Sequence, residues 1–548
     1  MVPDDDSGKP DHALAELEAA RNLLAQLSDD EPLDALREIA AWLGTMRDSV
    51  SFRPERRVAI VMLVDETAQL LLAKLQQQYL DLAGPGELAG GYRAGSDAQA
   101  QQRMQVWQGI YDFMAVLAHA YAACIDAYVQ PGKKPLNFKS HMPLLLVRLL
   151  RASAAQMKLS LMRYQEVEPA VWERLYRHYQ LARTHLLANN MVMAYATDAM
   201  HISPQKELLR TLVVYVSSPA SLTPAQIETS YQISFQLVNF FELREASDPN
   251  CAYLIDLVLA GPPQRVLSDL HVNEHTRFFG AVKAVAKVQE LIDKLGNEAG
   301  AINKQLPPAL SVLRHLHAHW SKEPPRRQRE RRDIATDITV VHGFNAISGF
   351  VAEAEASLLP AAARHNQPKP GRAALPLGRP HTHTRAEIWD VLDVSTMGVG
   401  GVLPDPSDAS VKVGTLCGIK AKSCNVWWAG IVRRRQADRN GQTRIGIEIL
   451  AKHPAVVLLR QVQRQQPRMH RIFGRFPEPA AAAVLPGILL ADVKKSCTSL
   501  LLEAGKFVMD QNYEVTMGGQ SGALLLTGLL VDGDDYQQVS FQWLVAAS

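Results

Sequence analysis

From residue 11 to about residue 318, apolar positions recur at helical spacing. Asp11 suits a cap ahead of Leu14, Leu17, Leu24 and Leu27, Pro32 suits the start of a second helix, and residues 56–82 carry a long apolar stripe. Similar stretches run over 98–128, 141–164, 170–189, 204–216, 224–241, 276–295 and 308–317. The pattern predicts an all-helical N-terminal domain of about nine helices at 11–318, behind an acidic tail at 1–10 that is expected to be disordered. Trp172, Leu175, Tyr179 and Ala188 match part of a tetratricopeptide repeat, but no 34-residue period is sustained, so the stripe reads as ordinary helical core.

Past residue 398 the period changes. Short apolar segments at 399–403, 411–419, 426–435 and 443–450 alternate with turn signals, and Asn440-Gly441 fits a type I′ hairpin between the last two. Five more segments, at 487–491, 497–503, 512–517, 523–531 and 536–545, predict a small C-terminal β domain over 470–548. The fold class expected is therefore multidomain α + β.

Between these regions lies an arginine run, Pro324-Pro325-Arg326-Arg327-Gln328-Arg329-Glu330-Arg331-Arg332-Asp333. It holds R-x-x-x-R at Arg327 and Arg331, with Arg326 and Arg332 as neighbouring alternatives. Downstream, D-x-S-x-x-G stands at Asp393, Ser395 and Gly398. A guanidinium is a rigid planar fork that pairs bidentately with guanine O6/N7 or with phosphate and can stack on a base. An Asp accepts from guanine N–H donors, a Ser hydroxyl reaches phosphate or base, and a Gly permits a backbone conformation closed to other residues. D-x-S-x-x-G then reads as a ligand-facing turn between strands.

In this order and beside a β-rich stretch, the two motifs resemble the two-part signature of PilZ domains, and 427–433 with 444–449 resemble the closing strands of that barrel. The resemblance covers 324–455. It implies a PilZ-like antiparallel β-barrel that binds cyclic di-GMP through Arg327, Arg331, Asp393, Ser395 and Gly398, with Arg326 and Arg332 in support. The spacing from Arg331 to Asp393 is about twice the family's usual one. A Pro-rich insertion at 361–385, expected to be a mobile loop, accounts for the excess.

Net charge is only +2, so no global basic field favours nucleic acid, and the positive charge concentrates at 326–332. The longest apolar stretch, 480–491, is broken by Pro486-Gly487, so no membrane span is expected. The acidic N-terminus reads as neither signal nor transit peptide, and a cytoplasmic location is expected. Five cysteines without a C-x-x-C pair read as reduced. His381 and His383 lack partners at ligand spacing, no catalytic motif stands out, and neither metal nor cofactor nor enzymatic activity is expected. The expected role is a receptor that couples cyclic di-GMP to a helical output domain docking a protein partner. The alternative is an interaction scaffold whose PilZ-like barrel binds no cyclic di-GMP.

Overall fold

The computed structural model describes residues 12–27, 30–48, 53–83, 95–129, 138–266, 272–302, 308–323, 332–358, 386–406, 408, 410–422, 424–438, 440–462, 484–490, 499–517 and 520–545. They form two compact units that divide between Arg326 and Arg327.

The first unit is helical. Its elements are α1 (Leu17–Ala25), α2 (Pro32–Asp48), α3 (Pro54–Ala83), α4 (Gly95–Val129), α5 (Phe138–Met162), α6 (Pro169–Thr184), α7 (Pro204–Val216), α8 (Pro224–Gln236), α9 (Val282–Ile302) and α10 (Pro308–Trp320). Six of them begin on proline, whose missing N–H is no loss in a first turn. Ser203 caps α7 by accepting from Lys206 N, and Thr223 with Gln226 forms a capping box on α8. Trp172, Leu175, Tyr176 and Tyr179 of α6 are buried in the core.

The helical region also carries a four-stranded sheet that helical spacing did not foresee: β1 (Glu242–Arg244), β2 (Tyr253–Asp256), β3 (Gln264–Arg265) and β4 (Thr276–Gly280), in the order β1-β4-β2-β3. The expected helix at 276–295 therefore begins only at Val282. Residues 276–280 are buried along their whole length and pair with β1 and β2 instead.

α4 packs against α2, α3 and α5. By length and composition Ala98–Val129 could cross a membrane, a property it shares with core helices of folded domains. Its Phe113, Leu117, Tyr121 and Ile125 are buried in the core of this unit.

α5 carries buried cations, each matched to an acid. Arg148 lies 2.6 Å from Glu66 and 3.6 Å from Asp65, and the Asp65 carboxylate also accepts from Tyr121 and Tyr195. Arg151 bridges Asp198 and Glu207, and Lys158 meets Glu228 at 2.5 Å. Burial pushes the Asp65 carboxyl above its usual range despite Arg148. At Glu228 burial acts in the same direction, but the Lys158 ammonium outweighs it and holds the carboxyl below the usual range. Cys124, Cys251, Cys417 and Cys424 are free thiols, and burial pushes Cys124 up to about 12.

The second unit is built of two closed antiparallel barrels. The first comprises β5 (Arg332–His342), β6 (Glu387–Ser395), β7 (Gly398–Val402), β8 (Leu416–Ala421), β9 (Trp427–Ala437) and β10 (Thr443–Ala451), ordered β10-β7-β6-β5-β8-β9. A helix that the sequence reading missed, α11 (Phe344–Leu358), follows β5. The second barrel comprises β11 (Ala455–Gln461), β12 (Val484–Leu490), β13 (Ser499–Glu503), β14 (Asn512–Met517), β15 (Gln520–Asp532) and β16 (Tyr536–Val545), ordered β11-β12-β13-β16-β15-β14. Its sixth strand is β11, which follows directly on the first barrel and pairs with β12 and β14. The insertion at 361–385 and the N-terminal tail lie outside the described residues.

The Asn440-Gly441 hairpin forms, but not as type I′. Only Gly441 takes a positive φ (79°), where that turn needs two such residues, and Asp438 organises the loop by accepting from the backbone N–H groups of Asn440 and Gln442.

The Lys158–Glu228 pair gives a pH-dependent expectation. Because the folded-state pKa of Glu228 lies below its unfolded value, its contribution is present above the unfolded pKa and fades as pH falls through the folded one. Glu228→Gln is expected to lower the stability of the helical unit by about 1–3 kcal/mol at pH 7, measured by urea denaturation. The gap to wild type should close as pH drops below the ordinary carboxylate range. A gap independent of pH would refute the assignment.

Candidate ligand-binding site

The D-x-S-x-x-G residues stand on one hairpin of the first barrel. Trp389 and Val391 of β6 point into its core, as the period of two requires. The β6–β7 register then slips between Val391 and Asp393, and Val394, rather than residue 393, packs against that core. One extra residue in a strand reverses the facing of everything after it. Asp393 and Ser395 consequently lie on the outer face. Without the slip they would sit in phase with Trp389, inside an apolar barrel.

The turn is fixed at both ends. Ser395 pairs with Gly398 across the hairpin, Ser395 Oγ donates to Gly398 O at 3.4 Å, and Ile449 N of β10 donates to Met397 O at 3.0 Å. Gly398 is not among the described glycines with positive φ. Its requirement is close approach instead, since a Cβ there would stand 3.2 Å from Ile447 O and 3.4 Å from Ser395 Oγ. This corrects the expectation that the glycine supplies a special backbone conformation.

Register extends the site across the barrel. Asp333 of β5 pairs with Asp393, Asp393 with Gly400, Gly400 with Gly446 of β10, and Gly446 with Arg434 of β9. Paired residues share a face, and Val399, Ile445 and Ile447 point inward, so this row faces outward. Two carboxylates thus oppose each other at one end, a costly pairing that favours cationic or N–H donor partners. Two glycines leave the middle without side chains, and Arg434 closes the far end, its Nη2 donating to Gln436 at 2.6 Å.

Of the residues assigned from sequence, Asp393, Ser395 and Gly398 come together. Arg332, exposed, begins β5 and pairs with Val394 between the two polar motif residues. Arg326, Arg327 and Arg331 lie outside the described residues. Sequence reasoning missed Asp333, Gly400, Gly446 and Arg434 as members of the same row. The G-V-G-G run after the motif hinted at a strand with a bare outer face, but only strand register could join it to Gly446.

Gly398→Val is expected to lower barrel stability by about 1–3 kcal/mol through overpacking against the β10 carbonyl. Thermal unfolding measures it, and a variant as stable as wild type would show that the close approach imposes no constraint.

Residues 18–248 match the family model for the N-terminal domain of the cyclic-di-GMP receptor FimW. The match spans less than half of the chain, and the described residues within it belong to the helical unit. The helical region is thus similar to that of a cyclic-di-GMP receptor. No curated protein and no solved structure matches the chain.

Proposed function

We propose that the protein is a cytoplasmic cyclic di-GMP receptor of the PilZ type and acts by binding rather than by catalysis. The ligand would lie on the outer face of the first barrel, at the β6–β7 hairpin. One coincidence carries the reading. The N-terminal match to a cyclic-di-GMP receptor and the R-x-x-x-R…D-x-S-x-x-G pair occupy separate parts of the chain and call for the same ligand. A scaffold with a vestigial barrel has no use for a strand slip that turns Asp393 and Ser395 outward while Arg332 is held in register between them.

In this reading Arg327 and Arg331 clamp phosphate or guanine, Asp393 accepts from a guanine edge, Ser395 reaches phosphate, and the glycines at 398, 400 and 446 let a planar base approach the sheet. Arg326 and Arg332 add local positive charge. The helical unit would carry the output by docking a protein partner. The division between units falls at Arg326, inside the arginine run, so a ligand that engages the run would act on the connection between them. It can shift that arrangement only by its differential affinity for the two states.

Titration calorimetry is expected to give cyclic di-GMP binding at micromolar affinity or tighter, with GTP and cyclic AMP far weaker. No heat at about 100 μM ligand, or roughly −5.5 kcal/mol, would refute the reading. Arg327→Ala and Arg331→Ala should each weaken binding about tenfold or more, the loss of about 1.5–3 kcal/mol for a charge-assisted contact. Arg331→Lys should recover little, because Lys keeps the charge but loses the planar fork.

Hydrogen exchange tests the coupling separately. Ligand is expected to protect 324–334 and 393–400 and to change exchange near 305–320. Protection limited to the hairpin would leave binding intact and overturn the coupling.

A further inference from the structure

A second cluster of chemistry sits at the opposite end of β6. His342 ends β5, Glu387 begins β6, and Asp408 lies in the β7–β8 connection. One donor atom from each stands within 4.8 Å of the other two. The nine residues of β6 separate this cluster from Ser395 by about 26 Å at the usual strand rise, so it is distinct from the ligand hairpin.

The donors are built in. Glu387 Oε2 accepts from Trp389 Nε1 at 2.8 Å, which fixes the carboxylate and leaves Oε1 toward His342. Asp408 Oδ1 accepts from Ser410 N at 2.8 Å. The loop is stapled to β9 by Arg435, which donates to the carbonyls of Asp408, Pro406 and Val411. The His342 side chain is only 10% exposed. Its Nδ1 is buried with no hydrogen-bond partner among the described residues, and its Nε2 lies 3.4 Å from Glu387 Oε1, beyond an ordinary hydrogen bond. Nε2 and Glu387 Oε1 therefore face one another at a separation too long for a good hydrogen bond and wide enough to hold an ion between them. Tetrahedral ligands about 2.1 Å from a zinc ion stand about 3.4 Å apart, the separation seen between His342 and Glu387.

We propose that His342, Glu387 and Asp408 form a binding site for a first-row divalent transition ion, with water completing the coordination. One imidazole and two carboxylates suit zinc or manganese, whereas an imidazole donor disfavours magnesium and calcium. The ion would pin the β7–β8 loop to the end of the barrel. The sequence reading expected no metal because it looked for close spacing, as at His381 and His383. These three donors are far apart in the chain: the pairing of β5 with β6 brings His342 and Glu387 together, and the Arg435 contacts hold the loop that carries Asp408.

The test uses the full chain, stripped with chelator, dialysed and titrated with ZnCl2 by calorimetry, with bound metal counted by elemental analysis. About one zinc ion per chain is expected, and a large excess of MgCl2 should not displace it. Asp408→Asn, in the loop, should weaken zinc by about tenfold or more, as should Glu387→Gln, while a variant with both His381→Ala and His383→Ala should bind as wild type does. Far-UV circular dichroism confirms that each variant is folded, and Asp408→Asn carries the test should a strand variant fail to fold. No zinc retained by the wild type at about 100 μM, a level at which even weak specific sites fill, would overturn the proposal. So would wild-type affinity in Asp408→Asn, or loss of zinc in the His381/His383 variant instead.

Discussion

Closure of the first barrel imposes a strict alternation: every second side chain of β5 to β10 must be apolar and fill an interior that includes Trp389, Val399 and Ile447. A polar recognition motif can occupy such a strand only if something changes its phase. The slip after Val391 does so, and it makes the chemistry of β6 compatible with its packing. A matching irregularity in the β5–β6 pairing, between Asp333 and Thr336, lets Asp333 follow the same outward turn. Both polar features at this end of the barrel therefore rest on backbone irregularity rather than on any single side-chain contact.

The helical unit meets a different constraint. Arg148, Arg151 and Lys158 lie on one buried helix, and a buried charge is tolerated only when paired and hydrogen-bonded. Their partners come from α3, α7, α8 and the segment before α7, so the acids must converge on α5 from several parts of the chain before any cation is satisfied. Apolar burial would accept many arrangements of these helices. The matched charges accept far fewer, and they tie the region that resembles a receptor's N-terminal domain to one packing.

Much of this was legible in the chain. Helical spacing located helices such as α7 and α10 because one apolar stripe and a proline start mark each of them. The strands from β7 to β10 and from β12 to β16 announced themselves by alternation and turn residues. β4 was read as helix because its five buried residues show no alternation, and β11 was overlooked because its Val-Val-Leu-Leu run follows the first barrel without a long break. α11 hid beside a strand. The motif Asp, Ser and Gly were visible as a spacing, but Asp333, Gly400, Gly446 and Arg434 belong to the site only through register, and the His342 cluster only through the β5–β6 pairing and the loop that Arg435 holds. Spacing along one strand is written in the sequence. Adjacency across a barrel is not.

The two barrels are joined by more than chain continuity. Asp535, in the β15–β16 hairpin, accepts from Phe344 N at the start of α11, and Val341, Phe344, Ile347 and Trp427 share one buried cluster with Ile488, Leu501 and Tyr536. Each barrel keeps an interior of its own strands, and the shared cluster is an apolar seam that their outer faces form with α11. Recombination that exchanged one of them alone would leave both interiors filled but expose half of this seam, so a replacement barrel must bring its own matching apolar outer face.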